Sequence, residues 1–192
     1  MKFYQELPES VMYENKEYKL NLSYRRVLAM FDCLEDEMLS DTVKLKIALN
    51  LVVVDEHPNE VGLLIKIIGM LSGDSPKTKE EPVFDIEQDW ELIVASFQQA
   101  YGIDLTSDKN MHFLRFKALL SGLPSNTKLA AVIKIRTMKV PEANKNNAQE
   151  IAELLKYKAI YALKKSNRNN FSSGLGKLFS ALKQRVVNRN GT

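Results

Sequence analysis

Apolar residues along the chain recur at three- and four-residue spacings, in runs closed by Gly, Pro or polar capping residues. That periodicity predicts a mainly α protein. The exception lies near the start, where Ser10 to Tyr13 and Glu17 to Leu22, rich in Val, Tyr and Leu, flank Glu14-Asn15-Lys16 in the pattern of a small β-hairpin. Ser23 can then cap a helix to about Asp36, with Tyr24, Val27, Leu28, Phe31 and Leu34 on one face. Asp32, Glu35, Asp36 and Glu37 crowd its far end, where the helix dipole disfavours carboxylates. A second helix starts near Asp41 or Thr42 and buries Leu45, Ala48, Leu49 and Val52 until His57-Pro58-Asn59 breaks it. A third runs from Pro58, a good first-turn residue, through Val61, Leu64, Ile65 and Ile68 to Gly69 or Gly73.

Residues 73–82, with two prolines and only glycine, polar and charged side chains besides, read as an exposed linker. Beyond it, Asp85 with Gln88 resembles a capping box, and Ile86, Trp90, Ile93, Val94, Phe97 and Tyr101 form a stripe ending at the C-cap candidate Gly102. Further helices are expected from Asp108 to Leu120, closed by Gly122 and Pro124, and from Ser125 or Thr127 through Leu129, Val132 and Ile133 to a break before Pro141. A last body helix covers about Asn146 to Leu163. The expected organisation is therefore a hairpin and helices in 1–72, a linker in 73–82, a helical unit in 83–163 and a tail in 164–192.

The tail changes the picture through its charge. Met1 to Glu153 carry 18 Lys and Arg against 24 Asp and Glu, a net of −6, whereas Leu154 to Thr192 carry nine basic residues and no acidic one. Within this segment Phe171, Leu175, Leu178, Phe179 and Leu182 form an apolar stripe, and Lys177, Lys183 and Arg185 lie largely off it. The pattern predicts an amphipathic basic helix. Gly174 and Gly176 weaken it by about 1 kcal/mol each, so it forms fully against a partner surface. An apolar groove, an anionic membrane surface or the acidic body of a neighbouring subunit would each fit, as would its own domain. These eight residues are the candidate interaction site.

Composition adds exclusions. With 45% apolar and 27% charged residues over 192 positions, the chain has the balance of a globular protein. Its single cysteine, Cys33, can form no internal disulfide, and no Cys/His cluster has metal-ligand spacing. No apolar run is long enough to span a bilayer, and the start lacks a signal-peptide core, so an intracellular protein without a membrane partner is expected. Neither His57 nor His112 sits in a nucleophile-and-carboxylate pattern, and phosphate loops, dinucleotide fingerprints and HExxH are absent. No enzyme, catalytic residue, cofactor, metal or small-molecule substrate is expected. Asp85, Glu87, Asp89 and Glu91 are read as first-turn carboxylates rather than a cation site, His112 with Phe113 and Phe116 as core rather than a base-stacking platform, and Cys33 as a packed thiol.

Three blocks carry a resemblance: FDIEQDWELIVASFQQAYGIDL from Phe84 to Leu105, MHFLRFKALLSGLP from Met111 to Pro124, and IKIRTMKVP from Ile133 to Pro141. In order and spacing they resemble the gene-product-fifteen family of tailed phages and prophages of Gram-positive bacteria. The similarity extends over roughly Ser10 to Leu163, with Phe113 and Leu114 where the family often has tryptophan. The resemblance implies a tail-morphogenesis protein, since such genes typically lie between those of the major tail protein and the tape-measure protein. That is the place of tail assembly chaperones, which coat the tape-measure protein until tube subunits replace them. It further implies other tail assembly proteins as partners, a homo-oligomeric ring or spiral, residence in the host cytoplasm during assembly, and absence from the mature virion. No site residues transfer with it. The alternative of a different class is a nucleic-acid-binding module whose tail cations contact phosphates. It is disfavoured because Phe171 and Phe179 belong to the apolar stripe and the acidic body repels a polyanion.

Overall fold

A computed structural model of the chain describes residues 6–72, 83–144 and 147–164. Among these residues it contains seven helices and one two-stranded antiparallel sheet, the mainly α fold with an N-terminal hairpin that the periodicity predicts. The amphipathic C-terminal helix and the linker 73–82 fall outside the described residues. Two compact units are formed. The first includes residues 6–72 together with Lys109–Lys117, and the second includes 83–108 and the described residues of 118–164.

In the first unit, β1 (Ser10–Tyr13) pairs with β2 (Lys16–Lys19), Val11 opposite Tyr18 and Tyr13 opposite Lys16. Only Glu14 and Asn15 connect them, both in the left-handed region with φ of 48° and 62°. A two-residue turn of that kind matches the twist of the strands, so Lys16 is drawn into the ladder rather than the turn. The second strand ends at Lys19, earlier than Leu22, because the backbone changes partners. Leu20 donates to the Glu9 carbonyl, Asn21 to that of Val52, and Leu22 accepts from Phe113.

Helix α1 (Tyr24–Glu35) packs on α2 (Asp41–Val52), which also meets α3 (Val61–Ser72). Ser23 occupies the N-cap of α1 but its side chain makes no capping bond; the backbone there forms an antiparallel bridge with His112, in which Tyr24 donates to the Met111 carbonyl. Leu45 and Ile65 are half-buried, and the centre is filled by Val27, Met30, Leu49, Leu63 and Ile67. Helix α3 begins at Val61 rather than Pro58. Glu60 precedes it as the cap position, its carbonyl accepting from Leu64 and its carboxylate accepting from the Tyr13 hydroxyl at 2.8 Å. The helix runs through Gly69 without a break. Phe113 and Phe116 complete this core, Phe116 stacked on Tyr24 at 5.0 Å between centroids.

The second unit contains α4 (Trp90–Tyr101), α6 (Lys128–Thr137) and α7 (Ala148–Ile160), while α5 (Phe113–Ser121) contributes its residues from Ala118 on. Gly102 caps α4 in the left-handed conformation at φ 66°, where a residue without a Cβ is favoured. The start of α4 is later than its capping-box pattern suggests. Asp85 accepts from the Gln88 backbone N–H and Asp89 from that of Asp85, closing a separate turn before the helix. Similarly α5 starts at Phe113 rather than Asp108. The side chain of Asp104 accepts from both the N–H and the hydroxyl of Thr106, which fixes a turn there and holds the Asp104 carboxyl below the usual range. Helix α7 is shorter at both ends than the span 146–163.

Candidate interaction surfaces and the clamp that positions them

The densest polar constellation in the second unit is built on Arg136, in the last turn of α6. Its guanidinium grips Asp89, the N-cap residue of α4, with two parallel hydrogen bonds of 2.6 and 2.8 Å. Both side chains are nearly enclosed, 12% and 3% exposed. The remaining donors reach the Tyr161 carbonyl at 2.6 Å and that of Val83 at 3.1 Å. In return Lys158 of α7 donates to the Arg136 carbonyl at 2.6 Å. A planar fork satisfies a carboxylate and two carbonyls at once, which a lysine at this position could not do. The arrangement joins the start of α4, the end of α6 and the end of α7. Lys164 is held nearby by Gln88, which both donates to and accepts from its backbone.

Sequence pattern groups Asp89 with the other first-turn carboxylates and does not single out Arg136. Both lie inside the blocks quoted for the resemblance, but 47 positions apart, and periodicity carries no information about which distant residues pair. Asp85, Asp89 and Glu91 occupy the turn and the start of α4, and among the described residues no group of His, Cys, Asp or Glu is placed to hold a metal ion.

What the clamp positions is α7. None of its 13 residues is fully buried. Ile151, Leu154 and Lys158 are half-buried and follow helical spacing, as the contact with α6 requires. The neighbouring face turns Ala148, Ala152, Leu155 and Ala159 outward, with Leu155 49% exposed, and Ile160, 60% exposed, projects from another side of the helix. In the first unit a second outward apolar strip lies on α2, where Val43 and Ile47, one turn apart, are exposed. Met38, in the preceding loop, stands almost wholly in solvent.

Other singled-out residues take structural places. His112 accepts the Leu114 N–H at Nδ1, which fixes the proton on Nε2 for donation to the Pro8 carbonyl. Cys33 is half-buried beside the Lys44 carbonyl, and burial, followed by Asp36, pushes its thiol pKa up. That is the opposite of an activated nucleophile. The interaction candidates of the tail, Phe171, Leu175, Lys177, Leu178, Phe179, Leu182, Lys183 and Arg185, lie outside the described residues. Among those described, no helix is long and apolar enough to cross a membrane.

Fold and clamp together define a mainly helical protein whose buried polar network is architectural and whose outward helix faces carry apolar side chains. A family model described as Bacteriophage Gp15 protein matches residues 3–163, and the chain belongs to that phage family. No curated protein and no solved structure matches it.

Proposed function

We propose that this chain acts in phage tail morphogenesis as a tail assembly chaperone that binds and shields the tape-measure protein, without catalysis, in the cytoplasm of the host and apart from the finished virion. Membership of the family supports the setting. The observation that carries the reading is the outward apolar strip of Val43 and Ile47 on α2, with Met38 beside it in sequence. A helical client exposes apolar side chains at three- and four-residue intervals, and a shallow helix face of matching period covers such a stripe through many modest contacts. Release by incoming tube subunits requires modest contacts of that kind. Self-association into a ring or spiral is part of the same reading, because a long client needs many copies along its length.

Co-expression with the neighbouring tape-measure protein, followed by affinity capture, tests the proposal. Recovery of a complex is expected, with Ile47→Asp lowering recovery by at least about tenfold, since burial of such a side chain contributes about 1.5 to 3 kcal/mol. Absence of a complex, or capture unaffected by Ile47→Asp, overturns the assignment of this face. The nine cations after Glu153 favour one second reading, phosphate contact by a nucleic-acid-binding tail. Strong, steeply salt-dependent gel shifts would place that reading first.

A further inference from the structure

We propose that the free edge of β1 takes up this chain's own C-terminal segment, Arg185 to Arg189, as a third strand antiparallel to β1. The inference is independent of the chaperone reading. It starts from the ladder. Glu9 accepts from Leu20, so the bonded pairs of the hairpin alternate as Glu9 with Leu20, Val11 with Tyr18 and Tyr13 with Lys16. The backbone groups of Ser10 and Met12 therefore point away from β2. On the far side of β2 the equivalent groups of Lys19 are engaged, its N–H by the Asp55 carboxylate and its carbonyl by the Val54 N–H. The backbone N–H and carbonyl groups of Ser10 and Met12 have no such partner among the described residues. Met12 is 53% exposed, and β1 carries none of the lysines, prolines or bulges that guard an edge.

Charge and reach select the occupant. Glu9 and Glu14 flank β1, both exposed and in no ion pair among the described residues. The complement of such an edge is a short apolar strand framed by cations. Beyond Leu182, the last residue of the tail's apolar stripe, Val186 and Val187 lie between Arg185 and Arg189, and β-branched residues suit a strand. Twenty residues separate Lys164, the last described residue, from Arg185, and fully extended they span up to ~70 Å. That tether holds the segment at a high effective concentration near its own edge, an advantage that a separate partner lacks.

The direction follows from what closes the edge at one end. By the same alternation the Pro8 carbonyl points to this side, but it already accepts from His112 Nε2 at 3.0 Å. An antiparallel strand ends there. With Val187 opposite Val11, Arg189 lies opposite Glu9 and only three residues remain, while the tether enters at the hairpin turn, where the edge is open. In this register Val186 exchanges both backbone bonds with Met12 and Asn188 with Ser10. Val186 then covers the exposed Met12 side chain, and Arg185 arrives opposite Tyr13, next to Glu14.

Amide hydrogen exchange of the full chain, read residue by residue by NMR, tests this. The Ser10 and Met12 amides should be protected in the wild type. Val186→Pro, which removes the N–H donated to Met12, should speed the exchange of both by at least about tenfold. Val11 and Tyr18, bonded within the hairpin, should keep their protection and so verify that it is intact. Glu9→Arg should also weaken the protection of Ser10 and Met12, and Glu9→Arg combined with Arg189→Glu should restore it. Fast exchange of Ser10 and Met12 in the wild type, exchange unchanged by Val186→Pro, or charge reversals without this loss and rescue would overturn the proposal. Protection should be the same at every protein concentration. Its loss on dilution would put the segment of a second copy on the edge and overturn docking within one chain.

Discussion

The Ser96 hydroxyl of α4 accepts the backbone N–H of Leu129, in the first turn of α6, at 3.0 Å. Both residues are buried, Ser96 completely. Thr127, at the N-cap of α6, turns its own hydroxyl to the Pro124 carbonyl at 2.8 Å instead of capping the helix. A side chain from one helix thus supplies the cap of another.

Ser96→Ala should therefore cost more than an ordinary surface serine. The Leu129 N–H would be left buried without an acceptor, at about 1–3 kcal/mol, and urea denaturation should show a lower midpoint with an unchanged slope.

Asp89 and Arg136 make a stronger case. Removing one member of an enclosed pair strands the other, so Asp89→Ala should lower stability by about 3–5 kcal/mol. Arg136→Lys should also destabilise, since an ammonium cannot serve the two Asp89 oxygens and the Val83 and Tyr161 carbonyls together. Thermal denaturation of Asp89→Ala and Arg136→Ala beside the double Asp89→Ala/Arg136→Ala gives the coupling energy.

Tyr13 donates to the Glu60 carboxylate, and that bond, helped by burial and the negative charge, pushes its phenol pKa up from 10.0 to about 12. The folded chain keeps this proton between about pH 10 and 12 while the unfolded chain loses it. Stability from this group is therefore complete below pH 10 and is lost as pH rises through that interval. Phenolate absorbance should show one tyrosine titrating late, and Tyr13→Phe should remove it. Gly62→Ala offers a second check. A Cβ at residue 62 would lie 2.5 Å from the Tyr13 hydroxyl, so the ring must move and the late titration should shift back towards 10.

Cys33 should react slowly. Its raised pKa and half-buried position predict alkylation near neutral pH at least about tenfold slower than for a free cysteine peptide, with the rate recovering in denaturant.

Much of this architecture is legible in the chain itself. Val27, Phe31 and Leu34, or Ile93 and Phe97, mark one helix face each because only helical spacing brings them together, and Gly102 marks a helix end because few other residues tolerate its φ. Helix starts are less legible. Asp85 and Gln88 carry the right residues for a cap, yet Asp89 is committed to Arg136 and sets the first turn of α4 five residues later than Asp85. The grouping of Lys109–Lys117 with the first unit is equally hidden, since it rests on backbone bonds such as Phe113 to Leu22 that leave no periodic trace. The outward face of α7 escapes for a different reason. Its alanines and leucines read as ordinary helix formers, and only the side on which α6 sits shows which of them are left outside.

The two bonds between Gln88 and Lys164 have a mechanical consequence. They anchor the backbone just after α7, and Tyr161, three residues before, is anchored again by Arg136. A pull applied to the chain beyond Lys164 is therefore borne first by the turn that starts α4 and by the guanidinium, both loaded before the first turns of α7 feel any tension. Helix α7 would peel most easily from Ala148, at the opposite end. Force arriving through the basic tail would leave α7 seated, whereas force arriving through residues before Asn147 would strip it turn by turn.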